Sequence, residues 1–353
     1  VLTFHSEDTK KRRAKTELDG GRLVTPYECP ERVDIVIDRV RKVGLGEVRA
    51  PQAYGLDPVL AVHDRSYIEF LEHAWDEWAA AGHPGEPIPL AWPTRRMNSG
   101  RVPDNIEGKI GYYALTTDTS LCPNTFAAAQ VSKDIALSAL EHVIDSGEPA
   151  FGLCRPPGHH AAIDQYGGYC FFNNAAIAAQ HALNGGIRKV AILDVDFHHG
   201  NGTQDIFYER DDVLFLSLHG DPRQEFPYFL GFADETGHGK GEGFNANYPL
   251  PSGTDYATWA SALDDAIARI NQYAPELLIV SLGVDTFEND PISSFKLKSD
   301  DYLDCGRRLK ALGLPTLFLL EGGYAVEEIG INVVNVLTGF ENAQASGSTT
   351  SAL

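Results

Sequence analysis

An α/β fold, with a mostly parallel sheet and helices on both faces, is predicted by three observations. Helical stretches alternate along the chain with short apolar runs, the βα rhythm of parallel sheets. The runs are uniformly apolar, as expected of strands covered on both sides. Five of them also run directly into turns bearing His, Asp or Tyr, and ligands of open α/β sheets bind beyond the carboxyl ends of strands.

The elements follow in order. Pro30 to Val43 places Val33, Val36, Ile37, Val40 and Val43 on one helical face, with Gly44 just past its end. Phe126 to Ile144 reads as a long helix stopped at Gly147. Buried strands are expected at Ala150 to Cys154, Val190 to Val195, Val213 to Leu218, Leu277 to Ser281 and Thr316 to Leu320. Helices are expected between them at Asn173 to Leu183, Tyr256 to Tyr273 and Ser299 to Leu312. No internal repeat interrupts residues 1–340, which are expected to form one domain. Gly82 to Asp104 breaks the rhythm with Pro84, Pro87, Pro89, Pro93 and Pro103 beside Trp92 and Met97. A connection that long is usually functional, so it is expected to contact a partner or flank a substrate. The tail Glu341 to Leu353, rich in Ser, Ala and Thr, is expected to fray.

Composition narrows the function. Among 353 residues, 29 Lys and Arg face 49 Asp and Glu, a net charge of -20. Nucleic-acid phosphates demand clustered cations, and anionic membrane surfaces do the same, so neither partner is expected. Cationic ligands are compatible with such a field. Five cysteines at wide spacing (Cys29, Cys122, Cys154, Cys170, Cys305) suggest neither a disulfide scaffold nor a thiolate metal site. The first residues lack a secretory pattern, and no run of about 18 apolar residues could span a bilayer. A cytoplasmic setting is expected.

The chemistry gathers at the strand ends. The first strand leads into Arg155-Pro-Pro-Gly-His159-His160, and the second into Asp194-Val-Asp196-Phe-His198-His199. The remaining three lead to His219-Gly-Asp221, to Gly283-Val-Asp285 and to Glu321-Gly-Gly-Tyr324. In an extended segment Asp194, Asp196 and His198 share a side. Asp194 should be deepest, leaving Asp196 and His198 as metal ligands with Asp285 as a third. Such a set leaves positions for water and substrate. Lacking thiolate, it suits Zn(II) and also Fe(II), Co(II) or Mn(II). His159 and His160 make better proton-transfer groups than ligands, and Asp194 could orient one of them. Tyr324, freed by two glycines, could direct its hydroxyl at a developing oxyanion.

The strings RPPGHHA, DVDFHHGNGTQ, SLHGD, SLGVD and EGGY, in this order, resemble the histone-deacetylase-like amidohydrolase family. Within it, the bacterial acetylpolyamine amidohydrolase branch is the most similar, and the resemblance runs from Phe4 to about Gly339. It implies the arginase-deacetylase fold around an open eight-stranded parallel sheet. It also implies one catalytic divalent metal on Asp196, His198 and Asp285, most often Zn(II). By the same resemblance His160 is general base and then acid, His159 is its electrostatic partner, and Tyr324 polarises the scissile carbonyl. Oxygens of Asp194, Asp196, His198, Ser217 and Leu218 would bind potassium. Asn201 stands where many histone deacetylases carry Asp, a departure shared with the polyamine branch.

The resemblance further places Asp118 and Glu107 on the substrate approach, with Glu107 reaching across a homodimer formed through the Pro-rich insertion. Tyr169 and Phe226, which follow the catalytic loops, would wall a channel for a methylene chain and attract ammonium groups. The expected reaction is hydrolysis of acetylated polyamines, and of diamines, to acetate and free amine. Deacetylation of acetyl-lysine in proteins is the alternative. An arginase-like reaction needs a second metal, yet Val284 and Thr286 flank Asp285. A reader that binds acetyl groups without turnover would have lost a ligand or the tyrosine, and none is missing.

Overall fold

The computed structural model describes residues 1–342. Glu341 and Asn342 finish its last helix, and the fraying expected for the rest of the tail concerns residues outside those described. The strands are β1 (Leu2–Phe4), β2 (Glu17–Asp19), β3 (Arg22–Val24), β4 (Val48–Arg49), β5 (Ala150–Gly152), β6 (Val190–Asp194), β7 (Val213–Gly220), β8 (Asn245–Leu250), β9 (Leu277–Leu282) and β10 (Thr316–Leu320). Eight of them form one open sheet in the order β4-β1-β5-β10-β9-β6-β7-β8. Every pairing in it is parallel, as the sequence predicts. β2 and β3 form a separate antiparallel hairpin.

Two cores explain why the strands read as continuous apolar runs. Alternate side chains point to opposite faces. In β6, Ile192 joins one core while Ala191 and Leu193 join the other. The first core is covered by helices Arg65–Ala80, Thr125–Ser146 and Asn174–Asn184. The second is covered by Glu31–Val43, Tyr256–Tyr273, Asp301–Lys310 and Ile329–Asn342. Glu31–Val43 shows the logic locally. It buries Val33, Val36, Ile37 and Val40 at helical spacing, each contributing about 1.5–3 kcal/mol relative to exposure. It stops at Gly44, whose φ of 65° suits a residue without Cβ.

The strand order decides where the chemistry lies. β5, β10, β9 and β6 are consecutive neighbours at the centre of the sheet. Their carboxyl ends therefore deliver 155–160, 321–324, 283–285 and 195–201 to one place. His219 is a correction, because β7 runs on to Gly220. It is buried within the strand end, bonded to Ser217 Oγ at 2.9 Å and donating to the Gly231 carbonyl at 2.8 Å. It braces a loop instead of facing the rim.

A buried ionic network ties these loops to the N-terminal segment. Glu28 receives Arg155 Nε at 2.7 Å, Arg12 Nη1 at 3.1 Å and Arg32 Nη1 at 3.4 Å. Arg155 also donates to the carbonyls of Thr9 and Arg12, and Arg32 to those of Glu321 and Gly323. Burial alone would raise the Glu28 carboxyl, but the guanidiniums of Arg155, Arg12 and Arg32 outweigh it and hold it below its usual range. Removing one partner of such a network strands buried charge at a cost of about 3–5 kcal/mol. Glu28→Gln is expected to lower unfolding stability by that amount in denaturant titration. A change below about 1 kcal/mol would show that the guanidiniums find other partners.

Candidate active site

Asp196, His198 and Asp285 converge as predicted. Their ligand atoms lie within 4.8 Å of one another, and His198 Nδ1 is 3.0 Å from Asp285 Oδ2 and 3.4 Å from Asp196 Oδ1. Backbone groups hold the carboxylates in place. Gly322 N donates to Asp196 Oδ2 at 2.7 Å, and Phe197 N donates to Asp285 Oδ1 at 2.8 Å. A Cβ at Gly283 or Gly322 would collide with the Asp196 carboxylate, so only glycine lets these turns close on it.

The charges fit a divalent cation. Burial and the Asp196 carboxylate push Asp285 up to about 7, because two carboxylates so close resist joint ionisation. Burial opposes charge on His198, yet hydrogen bonds to Asp196 and Asp285 hold its pKa well above the usual value. The cluster demands positive charge that one proton meets only in part, and its oxygen and imidazole donors suit a borderline metal. A second donor group is formed by His159, Cys170 and Glu321. Burial drives the Cys170 thiol well up, and His159 Nδ1 is 2.9 Å from Asp194 Oδ2. A neutral thiol and an engaged imidazole make that group the poorer site.

The two histidines are set to opposite charge states. Burial disfavours charge on His159, but Asp194 and Asp196 overcome it and raise its pKa to about 10. His160 is pushed well below its usual value by burial, then by His159 and His198. Asn201 fixes the His160 tautomer. Its amide nitrogen donates to the His160 carbonyl at 3.3 Å, so its oxygen faces Nδ1 at 2.7 Å. Nδ1 must then carry the hydrogen, leaving the lone pair on Nε2. Asp194 is wholly buried beneath them and lies opposite Ser217 in the β6–β7 register.

A cavity of about 620 Å³ opens above His160, His198 and Tyr324. Tyr169 and Phe226 both line it. Tyr169 lies 5.5 Å from the Tyr324 ring, and Phe226 meets the His160 ring edge-on at 4.9 Å. Asp118 also lines the cavity, and its Oδ1 accepts both the Thr116 and Thr119 hydroxyls. Glu107 is different. Its exposed side chain, on helix Ile106–Tyr113, lies outside this cavity and 3.5 Å from His83. One chain therefore does not bring it to the site.

Glu17, Asp19 and Glu225, which lie outside the sequence motifs, also line the cavity. Glu17 accepts the Tyr169 hydroxyl at 2.9 Å, and burial raises its carboxyl to about 7. A signal was present, since Gly20-Gly21 is a two-residue hairpin turn, with φ of 53° and 79°.

The residues 26–340 match the histone deacetylase domain model. The chain belongs to the histone deacetylase domain family. It is 56% identical over 341 residues to acetylpolyamine amidohydrolase 2 of Pseudomonas aeruginosa, covering 97% of this chain and 99% of that one. It is 56% identical over 339 residues to the acetylpolyamine amidohydrolase of Mycoplana ramosa, covering 96% and 99%. The crystal structure of acetylpolyamine aminohydrolase from Burkholderia pseudomallei superposes with a TM-score of 0.92 at 38% identity, covering 97% of this chain and 99% of that one. The span matched by this histone deacetylase domain begins at residue 26, after the β2–β3 hairpin that carries Glu17 and Asp19.

Proposed function

We propose that this chain hydrolyses the acetamide of acetylated polyamines, and of acetylated diamines, releasing acetate and the free amine. One observation carries the substrate class. The cavity is walled by Tyr169 and Phe226 and bears the carboxyl groups of Glu17, Asp19, Asp118 and Glu225, with no Lys or Arg among its lining residues. Carboxylates at the walls attract ammonium groups, and aromatic faces receive both methylenes and cations. The names of the relatives above agree with this reading.

Asp196, His198 and Asp285 would hold the catalytic metal, Zn(II) in the first instance, with Fe(II), Co(II) or Mn(II) compatible with the same donors. When bound, such an ion supplies Lewis-acid polarisation and acidifies water. The chain's own groups do the rest. His160, neutral with its lone pair on Nε2, takes a proton from the water attacking the acetamide carbon. Tyr324 donates a hydrogen bond to the carbonyl oxygen as it gains charge. Its pKa is held well above the usual value by burial, so it stays a donor. His159, kept cationic by Asp194, stabilises that charge. The C–N bond then breaks as His160 returns its proton to the departing nitrogen.

The finer assignments are inferred on the same footing. A potassium ion bound by oxygens of Asp194, Asp196, His198, Ser217 and Leu218 is supported by the burial of Asp194 and by its pairing with Ser217 in the β6–β7 register. A homodimer is supported by the exposed apolar residues Leu90, Met97 and Val102 in or beside the Pro-rich segment. A second copy there would place Glu107 at its neighbour's cavity. A reducing cytoplasm suits five unpaired cysteines. No helix among the described residues is long and apolar enough to cross a membrane.

The deciding experiment compares acetylspermidine, an acetyl-lysine peptide and an acetylated intact protein on metal-reconstituted enzyme. Acetylspermidine is expected to be turned over far better. Equal turnover of the intact protein would replace this reading with protein deacetylation. Asp118→Asn is expected to raise KM for acetylspermidine roughly 5- to 30-fold, the loss of about 1–2 kcal/mol of partly screened attraction. An uncharged acetamide of similar length should be unaffected. If both substrates weaken equally, Asp118 serves the shape of the loop and not its charge.

A further inference from the structure

We propose that Asp290 is the positioning residue of the catalytic tyrosine, one carboxylate that fixes Tyr324 and the cavity wall at Ile292 relative to each other. This rests on the reading of Tyr324 as the donor to the carbonyl oxygen.

The need for such a residue follows from the sequence Glu321-Gly322-Gly323-Tyr324. Its two glycines carry the chain out of β10, with Gly323 at a φ of 130°, a conformation other residues rarely adopt. A loop this permissive does not hold a side chain at one angle by itself. Each of its residues is therefore tied to a different part of the site. The Glu321 carboxylate accepts Gly158 N at 2.6 Å and His159 N at 3.1 Å. Gly322 N donates to the ligand Asp196, and the Gly323 carbonyl accepts Arg32 Nε at 2.8 Å. Beyond that point the backbone N–H groups of Tyr324 and Ala325 are both held by Asp290.

Asp290 Oδ2 accepts Tyr324 N at 2.7 Å and Ala325 N at 3.2 Å. Its other oxygen, Oδ1, accepts Ile292 N at 3.1 Å. Tyr324 and Ile292 both line the cavity. The carboxylate is nearly buried, and Asp290 N donates to the Phe287 carbonyl at 3.0 Å, continuing the turn that follows Asp285. One side chain thus joins the loop after β9, which bears a ligand, to the loop after β10, which bears the hydroxyl. Three backbone donors converge on it, and only a carboxylate has acceptors on both sides. Asparagine keeps the shape but turns an N–H₂ towards one set of donors. A displacement of about 1 Å at a reacting group can cost about 10²-fold in rate, so the clamp should register in kcat.

The experiment measures acetylspermidine hydrolysis by Asp290→Asn, Tyr324→Phe and the double variant, with metal content and thermal midpoint recorded for each. Asp290→Asn is expected to lower kcat about 10- to 100-fold with KM changed less than about threefold. In the Tyr324→Phe background the same change should cost no further activity, because the group it positions is gone. Multiplicative losses would overturn the proposal and leave Asp290 a structural residue. Full activity in Tyr324→Phe alone would instead sink the reading on which the proposal rests. Should Asp290→Asn fail to fold, amide exchange in the wild-type enzyme still decides. Protected amides at Tyr324 and Ala325 are expected, and exchange at free-loop rates would overturn the clamp.

Discussion

Tyr324→Phe is expected to reduce kcat about 10²- to 10³-fold, the usual cost of one hydrogen-bond donor to a developing oxyanion. KM and bound metal should stay near their wild-type values. The effect is differential. A carbonyl oxygen accepts a hydrogen bond weakly in the ground state and strongly as charge accumulates, so losing the donor raises the barrier more than it weakens binding. The surroundings support a narrow effect. The ring packs under Arg32, whose guanidinium carbon lies 4.9 Å from the ring centroid, and beside Tyr169. Phenylalanine retains those contacts, and the hydroxyl is not a ligand of the Asp196–His198–Asp285 cluster. Steady-state kinetics with metal analysis would check this. A variant with wild-type kcat would show that the hydroxyl takes no part, and one that loses metal would show that it supports the ligands.

Sequence pattern and structure agree best where patterns are dense. β10 falls on the predicted residues, as does helix Tyr256–Tyr273, and β6 and β9 end within one residue of prediction. Their signals are strong because a strand covered on both faces must be apolar throughout. β1 and β4 have only three and two residues, too few for any period to emerge. β8 reads Asn-Ala-Asn-Tyr-Pro-Leu, and its asparagines serve the network around Gln204 and Glu235. Polar demand there overrides strand propensity. The Asp196–His198–Asp285 cluster was legible because its residues leave adjacent strand ends. Glu17 was not, because it reaches the cavity from a hairpin far from any motif. Neither was Asp290, whose role lies in backbone donors that no sequence pattern records.

His160→Ala is expected to lower kcat about 10²- to 10⁴-fold, the range for loss of a positioned general acid–base. His159→Ala should act differently, and the structure explains why two adjacent histidines are unequal. At neutral pH His159 already carries its proton, since Asp194 at 2.9 Å and Asp196 outweigh burial. It cannot accept another. His160 has an amide for a partner instead of a carboxylate and sits among cationic neighbours, so its charged form is disfavoured. In the proposed reaction it would accept from water and, once protonated, act as a strong acid toward the leaving nitrogen. A leaving group that needs no proton separates the roles. With an activated acetyl ester, His160→Ala should recover part of its deficit when an external base such as imidazole replaces the lost nitrogen. His159→Ala should not recover, because what it lacks is a fixed charge beside Asp194. The opposite pattern of rescue would exchange the two assignments, and with them the account of why Asn201 stands beside His160.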